Sequence, residues 1–66
     1  MGDEHEKAAR ENVDRHIGDV VTGDDDPEDI ACEAYTLAFD GAVDAGATHE
    51  HARAIAQRVS KLFGGG

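Results

Sequence analysis

Apolar residues recur three times along this chain at the spacing of a helix, and nowhere do they alternate in the two-residue period of a strand. In the amino-terminal third, Ala9, Val13, Ile17 and Val20 follow one another at intervals of four, four and three. That spacing puts them on one face of a helix predicted over residues 3–21. Asp3, Glu4 and Glu6 fall in its opening turn, where the helix dipole favours negative charge. Gly18 weakens the closing turn by about 1 kcal/mol relative to alanine, which predicts a frayed end.

Thr22, Gly23, Asp24, Asp25 and Asp26 interrupt the pattern and lead into a strong helix start. Asp26 is placed to cap, Pro27 suits the first helical position, and Glu28 and Asp29 complement the dipole. The predicted second helix covers 27–45, with Ile30, Ala34, Leu37, Ala38, Gly41 and Ala45 on one face and Ala31, Tyr35, Phe39 and Ala42 widening it. Such a broad apolar face belongs to a central helix, and its small residues let a neighbour approach closely. Gly46 ends that helix, because glycine accepts the left-handed conformation required there. Thr48 then caps a third helix over 48–63, followed by a glycine tail at 64–66. Its stripe of Ala52, Ile55, Ala56, Val59, Leu62 and Phe63 is the cleanest in the chain.

The fold class is therefore all-α: one domain, a small three-helix bundle built on an antiparallel hairpin of the second and third helices. The first helix either docks on that hairpin or is held loosely as an arm. At 66 residues the core is thin. A chain this short buries only about 60% of its unfolded surface. The apolar faces of the hairpin exceed what one partner helix can cover, so Leu37, Val43, Ile55, Val59, Leu62 and Phe63 are candidate interaction residues. A lone cysteine, Cys32, excludes an internal disulfide and leaves association or ions as the supplement.

Charge changes the picture most. Fifteen acidic residues stand against six basic ones, a formal net charge of −9. In dilute buffer such a chain repels itself. At molar salt the Debye length falls to about 3 Å and most of that repulsion is screened. The excess of aspartate, the few lysines, and the abundance of alanine and glycine resemble the cytoplasmic proteins of extreme halophiles such as haloarchaea. This resemblance in composition implies an environment, not a named family. No apolar run approaches the ~20 residues of a membrane span, and no signal-peptide pattern opens the chain. A cytoplasmic location and no membrane partner are expected. The acidity is concentrated before Ile30, and the hairpin is close to neutral.

Candidate chemistry is sparse. His49 and His51 lie about 200° apart on a regular helix and do not chelate one ion from it. Completing a site would require Cys32, His5 or His16, and no zinc-type spacing links them. Asp24, Asp25 and Asp26 lack the glycine and bidentate glutamate of a calcium loop and read as a solvated capping run. Cys32 sits among Glu28, Asp29 and Glu33, which oppose a thiolate, so it reads as a packing residue. No catalytic residue, metal ligand or cofactor is expected.

The leading expectation is a non-enzymatic interaction module that associates with itself or docks on another protein. The second is a helix-turn-helix-like nucleic-acid binder using Arg53, Arg58 and Lys61 on the third helix. A metal- or redox-responsive switch using Cys32 and the histidines comes third.

Overall fold

The computed structural model describes residues 4–20 and 26–64, with no side-chain description at 19, 20 and 64. Three helices follow in order: α1 (Glu4–Val20), α2 (Pro27–Asp44) and α3 (His49–Gly64). Helix α1 passes through Gly18 without a break, and α3 runs a residue beyond its predicted end. The aspartates 24 and 25, and the tail after Gly64, lie outside the described residues.

Each helix end has a local cause. Asp26 is extended (φ −69°, ψ 152°), Pro27 follows it, and the Ile30 N–H reaches the Asp26 carbonyl at 3.0 Å. The Asp26 carboxylate makes no capping hydrogen bond, contrary to expectation. Pro27 already presets the first turn, and Glu28 and Asp29 supply the negative charge. At the other end of α2, Gly46 takes a φ of 103°. Its N–H donates to the Val43 carbonyl at 2.9 Å, and the Ala47 N–H donates to the Ala42 carbonyl at 3.0 Å. Together these bonds form a Schellman closure, with Ala47 and Ala42 both buried beneath it. Thr48 caps α3 as predicted, its Oγ1 accepting the His51 N–H at 3.2 Å.

The turn at 45–48 folds α3 back along α2, and these two helices form the most extensive seam of the bundle. Helix α1 packs chiefly on α2 and less on α3. It is a docked member, not an arm: Ala9 and Val13 are fully buried. Its direction follows from its partners. Ala8 and Ala9 lie beside Gly41, and Asn12 reaches the earlier Leu37, so α1 runs antiparallel to α2. His5 meets His51, and Glu6 meets Arg58, so α1 runs alongside α3 in the same sense.

Most of the core is alanine. Ala9, Ala34, Ala38, Ala42, Ala47, Ala52 and Ala56 are buried, with only Val13, Ile55 and Val59 as larger members. Ile17, Tyr35, Leu37, Phe39, Val43 and Phe63 pack around them, partly exposed. Ala45, predicted on the buried face of α2, is exposed because the helix has already ended there.

The small stripe on α2 serves α1. A Cβ on Gly41 would lie 2.8 Å from the Asn12 Cβ and 3.0 Å from both the Ala8 carbonyl oxygen and the Ala9 Cα. No side chain fits that space without moving backbone. One turn away, Asn12 Nδ2 donates to the Leu37 carbonyl at 2.8 Å, tying α1 to the main chain of α2.

Candidate functional site

The residues with most chemical potential are spread over all three helices. Among the described residues, no group of three or more His, Cys, Asp or Glu side chains is arranged to hold a metal ion. His49 and His51 diverge as their spacing requires. The His49 ring lies 5.7 Å from that of Phe39 on α2, whereas the His51 ring meets His5 of α1 edge-on at 5.3 Å. The histidines thus serve as contacts between helices at the turn end of the bundle. Cys32 is exposed, which corrects its reading as a packing residue. It lies on the side of α2 turned away from Ala34 and Ala38, where neither neighbouring helix covers it.

The six candidate interaction residues separate into three groups. Ile55 and Val59 are closed inside the bundle and offer no surface, because α1 and α2 together cover the stripe on α3. Leu37, Val43 and Phe63 are half-buried on its flanks. Leu62 is 67% exposed, and no other large hydrophobic residue is so exposed among those described. Position 62 falls at the edge of the stripe, beside Arg10 of α1.

Of the open grooves beside α1 among the described residues, two are of most interest. The first, of about 670 Å³, runs between α1 and α2. Leu37, Asp40, Gly41, Val43 and Asp44 line it on the α2 side, and Asn12 and His16 on the α1 side. The second, of about 420 Å³, lies between α1 and the end of α3. Leu62 makes its exposed apolar part, with Val59 closed beneath, and Arg10, Arg58 and Lys61 line it with Glu6 as the one carboxylate. Arg58 Nη2 stands 3.4 Å from Glu6 Oε1.

Of the three candidate nucleic-acid contacts, the structure groups Arg58 and Lys61 but not Arg53. The third cation at that site is Arg10, from a helix whose sequence signal was acidity. Only the docking of α1 parallel to α3 brings it there. Asp40 and Asp44 were likewise visible only as surface charge, although their spacing of four places both beside Leu37 and Gly41 on one face. No family model, curated protein or solved structure matches this chain.

Proposed function

We propose that this chain is a small non-enzymatic protein-interaction module, working in the concentrated salt of a halophile's cytoplasm. One observation carries the reading. In a chain of net charge −9, a large apolar side chain, Leu62, stands exposed amid three of the six basic residues. Isolated exposed apolar residues are common on protein surfaces. Here, however, the residue sits beside a groove with half of the chain's cations about it, and charge ringing an apolar anchor is the anatomy of a contact site. The thin alanine core adds a motive, since small domains are regularly stabilised by association.

The salt requirement rests on the acidic surface. No charged side chain is buried among the described residues, so the carboxylates face water and one another. Among these residues no helix is long and apolar enough to cross a membrane.

Sedimentation equilibrium in about 2–4 M KCl tests the reading, since at that strength the Debye length is at or below ~3 Å and self-repulsion is screened. Mass that rises with concentration, or a stable complex with a second protein, supports it. A well-folded monomer without affinity for any protein overturns it. The nucleic-acid reading draws on Arg10, Arg58 and Lys61, and it predicts binding that weakens steeply as salt rises. Glu6 within that patch and the acidity of the whole chain weigh against it.

A further inference from the structure

We infer that the chain associates with copies of itself head to tail, the cationic ridge around Leu62 seating in the acidic groove between α1 and α2 of the next copy. This rests on the reading as an interaction module and names both the partner and the two surfaces. The ridge offers an exposed branched side chain with Arg10, Arg58 and Lys61 about it. The groove offers Leu37 and Val43 as apolar lining on either side of Asp40 and Asp44. Apolar part meets apolar part, and three cations (one of them shared with Glu6) meet two carboxylates. That is complementarity in both properties at once.

The alternative pairings are unfavourable on the same grounds. Ridge against ridge would bring together the cations of both copies. Groove against groove would do the same with Asp40 and Asp44. Like charges held at a contact oppose association and so select the unlike pairing. Ridge and groove open on either side of α1, so one neighbour does not engage both and the contact is heterologous. Such contacts close into rings or continue as open chains and do not end at a symmetric dimer.

Salt acts on the two electrostatic terms unequally. Repulsion between two copies of net charge −9 acts over the width of the molecule, about 20 Å in its short dimensions of 21 and 19 Å. The ridge–groove pairs act at contact distance. At about 1 M salt, where the Debye length is about 3 Å, the long-range repulsion is lost first. Assembly is therefore weakest in dilute buffer and grows toward molar KCl, opposite to the trend for nucleic-acid binding.

The test uses the full chain and two variants at exposed positions. The ridge variant carries Lys61→Gln with Leu62→Gln, and the groove variant carries Asp40→Lys with Asp44→Lys. Circular dichroism first establishes that both keep the helicity of the unaltered chain. Analytical ultracentrifugation then follows each in about 1 M KCl, where repulsion is screened. The unaltered chain is expected to give a ladder of species growing with concentration. Each variant alone should be monomeric. An equimolar mixture should form a heterodimer and grow no further, because only one intact ridge and one intact groove remain between them.

Variants that assemble like the unaltered chain would overturn this inference while leaving the interaction reading standing, since the contact would then lie elsewhere. A mixture that stays monomeric while the unaltered chain assembles would overturn the head-to-tail pairing in the same way. An unaltered chain that is monomeric at millimolar concentration and binds a duplex oligonucleotide in dilute buffer would overturn both.

Discussion

The two seams of α2 are built on opposite devices. Toward α3 the bundle is filled by branched side chains, Ile55 and Val59, that interlock with a broad apolar face. Toward α1 it is built on the absence of a side chain, with Gly41 admitting Ala8, Ala9 and Asn12 to backbone distance. The first seam draws its strength from area removed from water, at about 25 cal/mol per Å². The second buries little large apolar surface and depends on close approach and on one hydrogen bond, Asn12 to the Leu37 carbonyl. A filled seam loses stability gradually when side chains are trimmed. A seam built on missing atoms fails when atoms are added.

Trimming the filled seam should have the largest effect. Ile55→Ala removes the bulkiest fully buried side chain, a change that costs about 2–5 kcal/mol in well-packed cores. A single core of this size supplies only about 3–5 kcal/mol, so the variant should lose most of its helical dichroism at 25 °C even in molar KCl. Retention of a sharp urea transition close to that of the unaltered chain would show that α3 is not the principal source of stability.

Adding atoms to the other seam comes next. Gly41→Val must displace backbone of α1, and overpacking of that kind costs about 1–3 kcal/mol. The better helix propensity of valine returns only part of about 1 kcal/mol. A lower urea midpoint, with protease cleavage appearing first in α1, is the expected outcome. An unchanged midpoint would mean that α1 stands off from α2. Smaller again is Asn12→Ala, which removes one partly buried hydrogen bond worth about 0.5–1.5 kcal/mol. Its effect should be non-additive with Gly41→Val, since both act on the same few ångströms of seam.

The smallest change runs in the other direction. Around Gly18 a Cβ would meet nothing within 4 Å, so Gly18→Ala should stabilise by about 0.5–1 kcal/mol. A gain at position 18 beside a loss at position 41 would separate a glycine that is merely tolerated from one that is required. Thermal melts of the two variants in the same salt check the pair.

Much of this was legible before any coordinates. The stripe from Ala52 to Phe63, the glycine at 46 and the threonine at 48 each carry a local physical signal, and all three elements fall where that signal puts them. The smallness of Ala34, Ala38, Gly41 and Ala42 also predicted a close neighbour. Which helix fills that place is a long-range fact, and no periodicity carries it. For the same reason nothing in the sequence singles out Asn12, and Arg10 could not be joined to Arg58 and Lys61. The candidate surface was half visible: Leu62, Leu37 and Val43 were singled out, but Ile55 and Val59 share their stripe and lie inside. Periodicity identifies the face of a helix, not how much of that face its neighbours cover.

The glycine at the crossing of α1 and α2 also bears on how relatives of this chain would be recognised. Aliphatic residues of similar volume substitute for one another in a core at modest cost, so Val13, Ile55 and Val59 leave only a loose imprint on sequence. Charged surface positions leave less. Gly41 has no substitute, and its counterpart is an asparagine twenty-nine positions earlier that binds the turn preceding it. That pair, set between two alanine-rich stripes, is the narrowest signature the architecture writes into its sequence.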